Sequence, residues 1–205
     1  MKKSEPWNKD RSVGQKPPLS IEQVQIIKML LSQAGNLRDV ALFSLAIDSS
    51  LRGCDLIRLR VQDLASKRNV YERASITQKK TSEKVGFSMS PYTREAIREL
   101  IETENKSPTD FLFTRQKGDQ RLSITPTHYR RLVKTWITHA QLDPAIYGSH
   151  SLRRTKVAVV YKETGNLRAA QVLLGHKSIE NTKNYLGIEQ DEALSIGERL
   201  SLIHI

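Results

Sequence analysis

The sequence predicts a mainly α-helical domain with a small antiparallel β-sheet, an α+β fold. Three observations carry this. Apolar residues recur every three or four positions in most segments after residue 19, the spacing of one helix face. Only two neighbouring segments alternate with period two. Glycines at 35, 165, 175 and 187 close periodic segments, as helix C-terminal caps do.

In chain order, residues 1–18 are polar and basic, end in Pro17-Pro18, and read as a flexible N-terminal arm. Ser20 with Gln23 three residues later is a capping-box pattern, and Ile21, Val24, Ile27 and Leu31 continue at helical spacing to Gly35. The next helix, about Leu37 to Ser49, contains "VALFSLAI". It is apolar nearly all round, which predicts a central buried position. Arg52-Gly53 interrupts it, and a short helix is expected around Asp55–Leu59. Val70, Glu72, Ala74 and Ile76, then Val85, Phe87 and Met89, alternate with polar partners. With the polar "QKKTSEK" between them they read as a β-hairpin. Pro91 opens a helix to about Glu104, "DFLF" is a short buried piece, and a helix starting near Thr125-Pro126 turns Tyr129, Leu132, Val133, Trp136 and Ile137 inward. Three helices follow, from about Gly148 to Gly165, then to Gly175, then to Gly187. Ala193, Ile196, Leu200 and Ile203 mark an amphipathic terminal helix with an acidic outer face.

The chain's 205 residues suit one domain with appendages. No apolar run approaches the ~20 residues of a membrane-spanning helix, and residues 1–18 lack the apolar stretch of a secretory signal. Cys54 is the sole cysteine, which excludes a disulfide framework and a cysteine-based metal site; a cytoplasmic location is expected. The formal net charge is +11. The arm contributes +3 and residues 189–205 contribute −3, so the body is strongly basic and its end acidic. A basic body points to a polyanion, above all nucleic acid.

Four sites suggest what is done to that polyanion. In "SHSLRR", His150 and Arg153 lie three apart in the first turn of a helix, where free N–H groups and the helix dipole already favour phosphate. A surface ion pair would explain that spacing equally well by itself. Arg52 ends an apolar helix, which would hold its guanidinium rigidly for a phosphoryl group, and Asp55 is placed to brace it. Lys79, Lys80 and Lys84 sit at a hairpin turn, where a lysine can reach a leaving oxygen and protonate it; most such lysines are simply solvated. His176 follows Gly175, and Tyr185 comes nine residues later. A phenol attacking phosphorus needs cations around it and an acceptor for its proton. Taken alone, Tyr185 reads as a packing residue.

Together "LRGCDLIRLRVQDL", "QKKTSEK", "HSLRRT", "LLGHKS" and "TKNYLGIE" resemble the tyrosine recombinases, or phage-type integrases, over roughly residues 19–205. The resemblance implies a catalytic set of Arg52, Lys80, His150, Arg153, His176 and the nucleophile Tyr185. Lys80 is preferred to Lys79 because family hairpins often read K-T-G; Ser82 stands in place of that glycine. Asp55 stands where the family usually has glutamate. Most members carry a separate N-terminal helical domain that clamps DNA, whereas here the 18-residue arm precedes the catalytic part, as in short single-domain members. The implied division is arm 1–18, DNA breaking-rejoining domain 19–188, and C-terminal helix 189–205 for contact between subunits.

The implied activity is site-specific recombination of duplex DNA through a 3′-phosphotyrosine, by integration, excision or inversion. It requires no metal, ATP or other cofactor. The implied partners are double-stranded DNA, three further copies of the chain on two DNA sites (a monomer off DNA), and accessory DNA-bending proteins; no membrane is involved. A DNA-binding regulator and a relaxing topoisomerase of type IB kind are the rival readings.

Overall fold

The computed structural model describes residues 15–66, 69–117 and 120–186. Helix α1 (Ile21–Gln33) begins with the expected reciprocal cap. The Ser20 hydroxyl accepts from the Gln23 N–H at 3.2 Å, and the Gln23 side chain accepts from the Ser20 N–H at 2.9 Å. Helix α2 (Leu37–Ser49) is the centre of the molecule, with every residue from Val40 to Ile47 buried. It packs against α1, α5 (Pro91–Thr103), α7 (Ser149–Thr164) and strand β4 (Lys84–Ser88). The Phe43 ring meets Trp136 of α6 (Pro126–His139) edge-on at 5.7 Å. The indole N–H donates to Asp39 at 2.9 Å, so the largest core side chain buries no unpaired polar atom. Ser90 and Thr125 cap α5 and α6, each accepting from the N–H three residues on, and each helix has proline at its first position.

The hairpin is shorter than its alternation suggested. Strand β3 (Arg73–Thr77) pairs antiparallel with β4, from Arg73 opposite Ser88 to Thr77 opposite Lys84. Val70 belongs elsewhere, to β2 (Asn69–Val70), which pairs with β1 (Ala65–Ser66). β5 (Thr114–Lys117) and β6 (Gln120–Ser123) form a further pair after the buried Leu112 and Phe113. The described sheet is therefore three two-stranded pieces rather than one hairpin. Strands this short carry too few residues to show a period.

The interruption after α2 also has a different cause from the one the sequence suggested. Ser50, with φ 51°, ends the helix in the left-handed region, and Arg52 is extended. Gly53 opens the one-turn helix α3 (Gly53–Leu56), earlier than the expected Asp55. Its role is close packing, since a Cβ there would lie 2.8 Å from the Tyr129 ring. The one-turn α4 (Val61–Leu64) follows.

Helices α7, α8 (Leu167–Leu174) and α9 (Ile179–Leu186) complete the described chain and pack on one another. They share a small cluster of Val157, Ala170 and Leu174, separate from the main core, against which Tyr185 and Leu186 pack. Among the described residues, no helix is long and apolar enough to cross a membrane. Of the arm, residues 15–18 are described and 1–14 are not. The amphipathic terminal helix expected over residues 193–203 lies outside the described residues.

Candidate active site

Arg52, held by the extended link between α2 and α3, and His150 and Arg153, from the start of α7, line one cleft of about 330 Å³ with Gly53, Cys54 and Tyr129. Arg153 is buried. Its Nη2 donates to the Leu174 carbonyl at 2.8 Å, and among the described residues its buried Nη1 has no acceptor other than the facing Tyr185 hydroxyl. His150 stands at the cleft edge. Burial first, then Arg153, Arg154, Arg52 and Lys16, hold its imidazole below the usual range and so favour the neutral form.

Arg153 joins this cleft to the α8–α9 segment. Its guanidinium carbon lies 5.8 Å from the centroid of the Tyr185 ring, and that of Arg154 lies at 4.6 Å. The His176 ring meets the Tyr185 ring edge-on at 5.3 Å. His176 Nδ1 is 3.2 Å from the buried Thr182 hydroxyl, which fixes the ring. Burial, with Arg153 and Arg52 nearby, pushes the His176 pKa down to about 4, so it is neutral at pH 7. The Tyr185 hydroxyl is buried and faces the Arg153 guanidinium, and among the described residues no other group hydrogen-bonds to it. Burial raises its pKa and outweighs the opposing pull of Arg153 and Arg154, so the resting phenol keeps its proton. The ring packs against the small α7–α8 cluster and the hydroxyl faces cations.

Buried polar groups in folded proteins are nearly always paired. Here, among the described residues, a buried guanidinium nitrogen and a buried phenol oxygen have at most each other. A phosphodiester supplies acceptors for the first and an electrophile for the second.

Five of the six sequence-derived candidates are thus brought together. Lys80 stands apart: it is exposed on the β3–β4 turn, as is Lys79, and among the described residues it makes no hydrogen bond to the others. Ser82, at the position of the family's glycine, takes the left-handed backbone conformation with φ 56°.

The brace expected from Asp55 is a correction. Arg52 Nη1 donates instead to Gln78 Oε1. Asp55 accepts from the Lys79 N–H at 2.9 Å, so it anchors the hairpin turn, and among the described residues its Oδ2 has no hydrogen-bond partner. Gln78, inside the segment read as a polar turn, is only 1% exposed. It also donates to the Leu174 carbonyl at 3.3 Å and accepts from Thr81 at 2.9 Å. One glutamine therefore ties Arg52, the hairpin and the end of α8 together. Nothing in its local pattern marked it, because its partners lie up to 96 residues away. Arg154 was missed as well; the doubled arginine of "SLRRT" was the available signal.

The Phage integrase family matches residues 20–192. The chain belongs to this family. Among curated relatives, this phage integrase family member is 28% identical to the "Probable integrase/recombinase YoeC" of Bacillus subtilis, over 85% of this chain and 91% of that one. It is 29% identical to a tyrosine recombinase of Pseudothermotoga lettingae, over 82% of this chain and 56% of that one. It spans about half the length of most of the other curated relatives it matches. Among solved structures, XerA recombinase superposes with a TM-score of 0.72 at 17% identity, covering 92% of this chain and 65% of that one. The Tn1549 transposon integrase in complex with transposon right end DNA superposes at 0.68 and 22% identity, covering 94% and 68%. At these identities the likeness is one of fold, and it agrees with the mainly α-helical class with a small antiparallel sheet read from the sequence.

Proposed function

We propose that this chain is a site-specific DNA recombinase that cleaves and rejoins duplex DNA through a tyrosine. The observation that carries the reading is the buried position of the Tyr185 hydroxyl against the Arg153 guanidinium, with Arg154 over its ring. Arg52 and Arg153 hold the non-bridging oxygens of a phosphodiester and offset the negative charge that grows on them. The Tyr185 oxygen forms a bond to phosphorus, and the bond from phosphorus to the 5′-oxygen breaks. The phenol's proton passes to a neutral imidazole; His150 serves in this transfer, and His176 positions the nucleophile or phosphate. Lys80 gives a proton to the departing 5′-oxygen once DNA has drawn the turn in; the left-handed Ser82 supports placing the family's lysine there. A 5′-hydroxyl from another strand then reverses the exchange. The ester retains the energy of the broken bond, so no nucleotide cofactor or metal is needed.

Four copies acting on two bacterial DNA sites in the cytoplasm, joined through residues 189–205 and aided by DNA-bending proteins, fit this chemistry. The deciding experiment incubates the protein with nicked suicide duplexes made from the DNA flanking its own gene. Wild type should form a covalent adduct and Tyr185→Phe none. Equal adduct from both would remove Tyr185 as the nucleophile.

A further inference from the structure

Arg154 follows the cleft arginine, is 6% exposed, and belongs to none of the chemistry above. Its two terminal nitrogens go to backbone carbonyls from opposite ends of the chain. Nη2 donates to the carbonyl of Tyr185, in the last turn of α9. Nη1 donates to the carbonyl of Lys16 at 2.5 Å. The same guanidinium lies over the Tyr185 ring at 4.6 Å.

Lys16 is itself fixed. Its ammonium donates to the Ala145 carbonyl at 2.6 Å, and its side chain crosses Gly148 just before α7. Three residues on, the Leu19 N–H donates to the Thr155 hydroxyl at 3.0 Å. The inner end of the arm is thus fastened ahead of α7, at Ala145, and the chain that follows it is fastened within α7, at Thr155.

The last carbonyls of a helix lack intrahelical partners and attract cations. Among the described residues, α9 is held to the body by a small apolar cluster and the Thr182–His176 contact, so one buried guanidinium at its end is a large part of what fixes its position. We propose that Arg154 is a positioning residue for Tyr185: it holds the nucleophile's turn of α9 against α7 and couples it to the chain segment at Lys16. It acts through the tyrosine, not on the phosphate, because both terminal nitrogens are committed to carbonyls. Lysine cannot replace it, since one ammonium on a flexible stem does not match a planar fork bridging two acceptors while lying on a ring. Displacing the Lys16 segment loosens the tyrosine, and docking it seats the tyrosine.

The proposal rests on Tyr185 being the nucleophile, so the experiment separates the two. Full-length protein is assayed on the suicide duplex in single turnover. The same duplex is used with hydrogen peroxide as an external nucleophile in the Tyr185→Phe background, where cleavage depends on the phosphate-holding residues alone. Misplacing a reacting group by about an ångström costs on the order of 100-fold in rate. Arg154→Ala and Arg154→Lys should each lose tyrosine-dependent cleavage on that order, with duplex affinity within about 3-fold of wild type. Lys16→Ala should slow it less, in the same direction, and add little to Arg154→Ala. Peroxide-supported cleavage should be the same in Tyr185→Phe and in Tyr185→Phe with Arg154→Ala, which also shows that the double variant folds.

Equal loss of peroxide-supported cleavage would place Arg154 in the phosphate site and overturn the proposal. So would full activity of Arg154→Lys. An unchanged rate in Lys16→Ala would overturn the coupling to the arm. Cleavage by Tyr185→Phe without peroxide would instead overturn the nucleophile assignment.

Discussion

At the scale of single residues, the candidate site sets held arginines against an exposed lysine. Arg153 and Arg52 are each fixed by one terminal nitrogen, to Leu174 and Gln78. A held guanidinium loses little freedom when phosphate arrives. Lys80 is the opposite case, exposed on a turn and free to move. If it is the acid, Lys80→Ala should regain cleavage when the leaving 5′-oxygen is replaced by sulfur, which leaves without a proton. Rescue of Lys79→Ala instead would move the role one residue.

His176 gives a pH signature. In an unfolded chain its imidazole takes a proton near pH 6.5; folded, it does so only near 4. Between these values the unfolded state binds more protons, so stability is fully present above about 6.5 and lost as pH falls towards 4. His150 and His128 are shifted the same way. Urea unfolding followed from pH 7 to pH 4 should show declining stability, and His176→Gln should flatten the decline.

At the scale of elements, the join of α8 to the hairpin aligns the two halves of the site. Gly175 ends α8 with φ +62°, and a Cβ there would lie 2.2 Å from Val85 Cγ2 and 3.2 Å from Gln78 Nε2. Gly165 ends α7 with φ +63° but faces open space. Gly165→Ala should cost about 1–2 kcal/mol from the left-handed backbone alone. Gly175→Ala should cost about 1–3 kcal/mol more, because it also wedges α8 from β4. Urea midpoints of the two variants measure the difference; equal midpoints would mean that the hairpin yields freely. Sequence reading placed both stops correctly from local pattern, yet had no means of telling them apart. One is a chain terminator and the other is also a contact between α8 and the hairpin.

At the scale of the whole molecule, a net charge of +11 on a chain with an acidic end makes duplex DNA binding an ion-exchange process. Affinity should fall on the order of 1,000-fold between about 50 and about 200 mM salt, as for a protein covering several phosphates. A flat titration would show that the basic surface is not the contact. The sequence by itself determined the helices of eight residues or more within the described chain, several of their caps, the buried α2 and the candidate residues, because capping, period and side-chain chemistry are local properties. It also carried the family resemblance, because residue types in order survive without coordinates. Only the tertiary structure decided that Gln78 rather than Asp55 holds Arg52, that Arg154 bridges Lys16 and Tyr185, and that the Tyr185 hydroxyl is buried beside cations. Each of these depends on which distant segments share a boundary with α7 and α8, and hydrogen bonds across 26, 31 or 138 residues leave no period in the chain.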